Sequence, residues 1–98
     1  MAYTRKRTLR YYISEVITMS VKDAVAKRFI ELLKERDMNV NQLAIISGVT
    51  ASTVYSLLDE SRRDVSIVTV KKLCDGLEIT LGEFFNVPLF NELEQEIY

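Results

Sequence analysis

Residues 39–58, NVNQLAIISGVTASTVYSLL, decide the fold of this chain. Asn39 is a favourable N-cap residue, and Gln42 three positions later completes a variant of the capping box that begins a helix. Gly48 stands where this helix must end in a left-handed conformation, which glycine adopts at little cost. The pattern predicts a short helix followed by a tight turn. Its apolar face is predicted at Leu43, Ala44 and Ile46.

The turn leads into a second short helix. Val49 is expected to fill the turn as an apolar plug, and Thr50 is expected to cap the helix that follows. The outer face of this helix is small, uncharged and able to form hydrogen bonds, which the major groove of DNA accepts. The expected inward residues are Val54, Leu57 and Leu58, and the expected outward residues are Ala51, Ser52, Tyr55 and Ser56.

Two short helices bury too little surface alone, so flanking helices must complete the core. Ser20 is predicted to cap a long amphipathic helix that ends near Arg36. Helical periodicity gives this helix a buried stripe and a mostly solvated face. The stripe comprises Val21, Ala24, Val25, Phe29, Leu32 and Leu33, and the solvated face comprises Lys22, Lys27, Arg28, Glu31, Lys34 and Glu35.

Three further helices are predicted towards the C-terminus. Ser66 caps the first of them. Thr80 and Glu83 form a capping box that begins the second. Pro88 suits the first position of the third, which is expected to extend to about Ile97. The apolar positions of the first are Ile67, Val70, Leu73, Cys74 and Leu77.

The composition is typical of one all-α domain. Of the 98 residues, 48% are hydrophobic and only 3 are glycine and 1 proline, and no apolar run is long enough to cross a membrane. The N-terminus lacks the continuous apolar core and the cleavage site of a signal peptide. A single cysteine excludes an internal disulfide and indicates a cytoplasmic location.

Charge is unevenly distributed along the chain. The net charge is −1 and the pI is near 5.4, whereas DNA-binding domains are usually basic. Residues 1–20 nevertheless carry a net charge of +3, and residues 86–98 carry −3. Bases can therefore contact phosphates at one place, while an acidic tail favours solubility or meets a partner at another.

Three segments together resemble the lambda-repressor-like helix-turn-helix domains, also called Xre-type or Cro-type, of phage and bacterial regulators. They are residues 39–58, residues 66–77 (SIVTVKKLCDGL) and residues 78–85 (EITLGEFF), in the order and nearly the spacing of that family. The resemblance implies a compact five-helix DNA-binding domain over residues 20–85. A basic N-terminal arm over residues 1–19 and an acidic extension over residues 86–98, with a short C-terminal helix, flank it.

The resemblance also implies which residues contact DNA. In that family the first helix of the motif lies across the DNA backbone, and the second enters the major groove. The base-reading positions correspond to Ala51, Ser52, Tyr55 and Ser56, and the phosphate-contacting positions correspond to Asn39, Asn41, Thr50, Thr53, Arg62 and Arg63.

Three positions depart from the family pattern. Leu33 and Leu58 occupy the places of a buried Arg–Glu pair, and two packed aliphatic side chains are often a neutral or stabilising replacement. The loop after Leu58 lacks the family's glycine and is one residue longer. Val40 stands where many members have a phosphate-binding glutamine, so Asn41 or backbone amides must bind that phosphate.

Enzymatic chemistry is not predicted. The chain has no histidine, which excludes His-based acid–base catalysis, nucleophile pairs with His and the usual mixed zinc sites. It has no glycine-rich phosphate loop, and Cys74 is expected to be a buried core residue. We therefore expect a binding protein without a cofactor, metal or small-molecule ligand.

Two functions remain open. The first is a sequence-specific transcriptional regulator, a homodimer that reads two half-sites of double-stranded DNA about one helical turn apart. The alternative is an antitoxin-like or accessory protein-interaction module, whose acidic tail over residues 88–98 docks on another protein and in which DNA binding is secondary.

The segment before Met19 has its own alternatives. Residues 1–18 are predicted to be an appended arm, either extended or disordered. An arm that enters the minor groove and a start site chosen too early are the other two interpretations.

Overall fold

Six helices follow one another along residues 19–97, the part of the chain that this computed structural model describes, and that part contains no strand. The predicted all-α fold is confirmed. The predicted N-terminal arm, residues 1–18, lies outside the described residues. No helix within residues 19–97 is long and apolar enough to span a membrane. The helices are α1 (Val21–Glu35), α2 (Val40–Ser47), α3 (Ala51–Leu58), α4 (Ile67–Gly76), α5 (Leu81–Phe85) and α6 (Pro88–Asn91).

Side-chain caps begin α1 to α5 at the residues that the sequence predicts. In each case the cap oxygen accepts a hydrogen bond from a backbone N–H two or three positions later. At α2 and α5 the capping box is complete, because the side chain at the third helical position accepts from the cap's own N–H at 2.8 Å. The caps are Ser20, Asn39, Thr50, Ser66 and Thr80.

A three-residue turn joins α2 to α3. Gly48 has a φ of 68°, the left-handed conformation that its position predicts. The Val49 N–H donates to the Ala44 carbonyl at 3.1 Å, and the half-buried Val49 side chain packs against the core. Helices α2 and α3 therefore form a helix-turn-helix.

The core lies where α1, α4 and α5 meet the helix-turn-helix. Phe29 of α1 and Phe84 of α5 are fully buried, and their ring centroids are 4.5 Å apart. Phe90 of α6 adds a third ring, 5.8 Å from that of Phe84. The other buried hydrophobic residues are Ala24, Val25, Ala26, Leu32, Leu33, Leu43, Ala44, Val54, Leu57, Val70, Leu73, Cys74 and Leu77.

Three predicted core positions are wrong. Ile46 is 45% exposed, because the inward face of α2 is centred on Leu43 and Ala44 and Ile46 lies to one side of it. Val21 is 41% exposed and Ile67 is 58% exposed. Each of these two is the first residue of its helix, where it projects beyond the core.

Helix α6 is also shorter than predicted, since it ends at Asn91 rather than near Ile97. Glutamates follow at positions 92, 94 and 96, and acidic side chains are unfavourable at the negative end of a helix. The chain instead returns to the start of α1, where the Glu96 Oε2 accepts from the Val21 N–H at 3.2 Å.

Three basic residues, two in α1 and one at its C-cap, bind the C-terminal ends of other helices. Helix C-termini leave carbonyl groups without intrahelical partners and carry partial negative charge, so cations are favourable there. The prediction that Lys22 is solvated is therefore wrong, and Arg28 is half-buried. The pairs are Lys22 with the Asp59 carbonyl after α3, Arg28 with the Glu83 and Phe84 carbonyls of α5, and Arg36 with the Leu77 carbonyl after α4.

Helix α4 crosses α2 closely at Gly76. A Cβ atom at Gly76 would lie 2.3 Å from the Ser47 Oγ and 3.0 Å from the Ser47 Cα. The absence of a side chain at this position therefore sets the separation of the two helices.

Candidate nucleic-acid interface

The start of α3 carries a cluster of three hydroxyl groups. The Thr50 Oγ1 accepts from the Thr53 N–H at 3.2 Å. It also lies 2.9 Å from the Ser52 Oγ and 2.9 Å from the Thr53 Oγ1. Hydroxyl groups both donate and accept hydrogen bonds, so this cluster suits phosphate oxygens and base edges alike.

The outer face of α3 is largely free of core packing. Ser52 is exposed, and Tyr55 is 58% exposed. Ser56 is half-buried and lies four residues after Ser52, so the two hydroxyls are on the same side of the helix. Ala51 differs from the prediction, because it is half-buried and packs against the core, so that it lies at the edge of this face.

A polar groove of about 220 Å³ lies between α3, α4 and the connecting loop. Its lining includes Thr53 and Ser56 of α3, Arg62 of the loop, and Ser66 and Thr69 at the start of α4. The Arg62 side chain is 63% exposed, and its Nε is 3.8 Å from the Asp59 Oδ2. The structure thus brings Arg62 beside two of the predicted DNA-contacting residues of α3.

Arg63 lies elsewhere, although it is adjacent to Arg62 in sequence. It lines a depression against α1 with Lys27 and Leu58, and a second one with Lys22 and Glu96. It does not line the groove that Arg62 lines. The two arginines that the sequence groups together therefore belong to different surfaces.

The start of α2 contributes two predicted phosphate contacts. The Asn39 Oδ1 accepts from the Gln42 N–H at 2.8 Å, which uses this oxygen for the cap. A phosphate oxygen could still accept from the side-chain NH₂ group of Asn39. Asn41 is exposed in the first turn of α2.

Sequence reasoning missed the residues that organise the loop after α3. The Asp59 Oδ1 accepts from the Ser61 N–H at 2.9 Å and from the Ser61 Oγ at 2.8 Å. These hydrogen bonds lower the pKa of the Asp59 carboxyl, with smaller contributions from the charges of Arg62 and Lys22. The Asp-x-Ser spacing of residues 59–61 is the signal that could have indicated this turn.

Cys74 is fully buried in α4. Burial, reinforced by the neighbouring charge of Asp75, raises the pKa of its thiol to about 11. The thiol is therefore protonated at neutral pH, whereas a reactive cysteine must ionise.

These features define a helix-turn-helix protein with an exposed second helix. The sequence matches the Cro/C1-type HTH DNA-binding domain over residues 28–88, which is more than half of the chain. The chain belongs to this family, which confirms the resemblance that its sequence indicates. The matched residues begin within α1 and include all of α2 to α5.

A solved structure has a similar fold. It is the crystal structure of the prophage Lp1 protein 11, with a TM-score of 0.69 and 27% sequence identity. The similarity covers 76% of this chain and 99% of that chain. A search of curated proteins found no match.

Proposed function

We propose that this DNA-binding protein is a sequence-specific transcriptional regulator in which α3 reads the major groove. The observation that carries the proposal is the exposed outer face of α3, which lies beside the exposed cation Arg62. A helix that presents polar groups next to a flexible cation can insert between two phosphate backbones while the cation binds one of them.

The outer residues of α3 make the contacts to the bases. Ser52, Tyr55 and Ser56 contact base edges, and Ala51 offers its methyl group at the margin of the face. Serine hydroxyls suit several bases, so they discriminate less sharply than Arg or Gln does. Sequence-dependent DNA shape therefore supplies part of the preference.

Phosphate contacts surround this face. Thr50 and Thr53 lie at the start of α3, and Asn39 and Asn41 lie at the start of α2. Arg62 supplies the main positive charge, because its side chain shares a groove with Thr53. Arg63 was predicted as an equal contact, but its position against α1 gives it a minor role here.

We further propose a homodimer on two half-sites about one helical turn apart. The affinity of one domain for DNA is modest, since three basic residues in α1 and at its C-cap are engaged in contacts within the fold. Two linked domains contribute twice the phosphate contacts, which compensates for the few cations in each.

The test is a set of anisotropy titrations over a salt series, with a duplex selected from random sequence and a scrambled duplex. Ser52→Ala and Tyr55→Ala are expected to change which sequence is preferred. Arg62→Gln is expected to weaken binding to both duplexes and to reduce the salt slope by about one unit. Arg63→Gln is the matched control, with a smaller effect on the slope.

The result that would overturn this function is equal behaviour of the parent, the Ser52 variant and the Tyr55 variant on both duplexes. In that case the protein-interaction module takes its place. One observation favours that alternative, since Ile45 of α2 is 78% exposed and lies beside the exposed Ile46, and apolar patches often mark partner contacts.

A further inference from the structure

We propose that Lys22 is a positioning residue for DNA reading, because it fixes the end of α3 and the Arg62 loop against α1. The inference rests on the proposed function of α3. Lys22 is only 4% exposed. Its Nζ donates to the Asp59 carbonyl, which lies 37 residues later at the C-cap of α3. Lys22 also precedes the residues that match the family.

A buried lysine at this place needs an explanation beyond stability. Removing an ammonium group from water is costly, and apolar residues of similar volume often stabilise a protein as well or better. Within residues 19–97 the Lys22 ammonium has one hydrogen-bond acceptor, the Asp59 carbonyl, and a buried charge held in this way selects one arrangement of the two elements that it joins. Here those elements are the first turn of α1 and the last turn of α3.

The end of α3 lacks the left-handed residue that follows α1, α2 and α4. Those helices are followed by a residue with a positive φ, namely Asp37, Gly48 and Glu78. After α3, Asp59 is instead extended, with φ −73° and ψ 117°. The carbonyl groups of the last turn therefore need partners from outside the helix. At the Asp59 carbonyl these partners are the Arg62 N–H of the loop and the Lys22 Nζ of α1, and only Lys22 connects it to another helix.

Asp59 connects the hydrogen bond from Lys22 to the loop that follows α3. Its carbonyl also accepts from the Arg62 N–H at 3.1 Å, and its carboxylate binds Ser61 through two hydrogen bonds. Lys22 therefore sets where Arg62 lies relative to the outer face of α3. The preference for one DNA sequence depends on the position of Arg62 and on the outer face of α3, because phosphate contacts set the register in which the bases are read.

This role predicts a specific pattern in binding. Without the ammonium group, the end of α3 and the Arg62 loop are free to shift, and the contacts to the preferred site are lost first. Binding to scrambled DNA changes little, because Lys22 is buried and its ammonium does not reach a phosphate. On scrambled DNA the salt slope, which counts phosphate contacts, stays the same.

The experiment compares three variants with the parent in the full chain. Lys22→Met keeps the apolar stem and removes the charge, and we expect a roughly tenfold loss of preference for the selected duplex, as for other hydrogen bonds to charged groups. Lys22→Arg is expected to restore most of the preference. Lys27→Met changes an exposed lysine of the same helix, and we expect the parent's preference from it.

A second readout does not involve DNA. In Lys22→Met the backbone amide resonances of Ser61 and Arg62 are expected to move, whereas in Lys27→Met they stay in place. All variants are compared at a temperature at which circular dichroism shows them folded. If Lys22→Met does not fold, Lys22→Gln, which is neutral and shorter, takes its place.

Three outcomes are separable. A folded Lys22→Met with the parent's preference overturns the positioning role and leaves Lys22 as a residue of the fold alone. A Lys22→Arg that behaves like Lys22→Met also overturns it, since a cation at this place would then be insufficient. A parent without any preference between the two duplexes means that the proposed function itself has failed.

Discussion

The two ends of α3 are held in different ways. The start is held by local contacts, because Thr50 binds Ser52 and Thr53 within three residues of itself. The end is held from a distance, because Lys22 reaches the Asp59 carbonyl across 37 positions of sequence. A local cap needs only its own helix, whereas the distant contact exists only when α1 is packed correctly. The start of α3 is therefore robust, and its end depends on the whole fold.

The largest expected effect comes from loosening α1. Leu33 is 7% exposed in the core, and Leu33→Ala is expected to lower the free energy of unfolding by about 2–5 kcal/mol. Leu58 is half-buried in the same cluster, so Leu58→Ala is expected to cost less. Urea unfolding followed by circular dichroism measures both values.

The double variant sharpens this result. The sequence predicts that Leu33 and Leu58 touch, which would tie α1 directly to the last turn of α3. If they do, the two losses in unfolding free energy are not additive. Strictly additive losses would mean that the two side chains are not in contact.

A smaller effect is expected at the local end. Thr50→Ala removes the cap and its hydroxyl network, and it is expected to cost about 1 kcal/mol of stability together with a loss of DNA affinity. Thr80→Ala is the matched control, because it removes an equivalent cap from α5. An equal loss of DNA affinity in both variants would assign the effect to stability rather than to the hydroxyl cluster.

The smallest expected effect is a loss of stability at low pH that depends on the carboxyl group of Asp59. The pKa of Asp59 is lowered in the folded chain, chiefly by hydrogen bonds from Ser61. A lowered pKa means that the carboxylate stabilises the fold above its ordinary pKa of 3.8, and that this stabilisation is lost as pH falls through and below that value. The urea midpoint of the parent is therefore expected to fall in acid, and that of Asp59→Asn is expected to fall less.

A second carboxyl must be separated from this effect. The pKa of Glu83 is lowered too, by hydrogen bonds from Thr80 in the capping box of α5. Glu83→Gln removes that contribution and leaves Asp59 in place. If Asp59→Asn keeps the full acid dependence of the parent, the Ser61 turn does not support the end of α3.

The contrast between local and distant contacts also explains which features could be predicted from the sequence. The caps and the left-handed turn at Gly48 each depend on residues no more than five positions apart, and all of them are where the sequence predicts. The sequence predicts a solvated face for Lys22 and Arg28, because periodicity cannot show that their partners lie 37 and 56 positions away. After the shortened α6 the chain likewise makes a distant contact, since Glu96 accepts from the Val21 N–H 75 positions away.

The candidate site shows a similar division. Ser52 and Tyr55 are exposed as predicted, since their positions follow from helical geometry once Thr50 is the cap. Helical geometry cannot predict the positions of the Arg62 and Arg63 side chains, because both residues lie in the loop between α3 and α4. Their side chains lie on different surfaces because the Asp59–Ser61 turn directs the loop between them and α3, and a loop has no repeating geometry from which to predict it.

The crossing of α4 over α2 at Gly76 has a genetic consequence. An alanine there would push the two backbones apart by a few tenths of an ångström, and overpacking of this kind costs about 1–3 kcal/mol. Gly82, by contrast, has ordinary space around it. Gly76→Ala is therefore a candidate temperature-sensitive allele that leaves every residue proposed to contact DNA unchanged. If the protein regulates transcription as proposed, a shift of growth temperature would reveal the genes whose expression follows the folded protein.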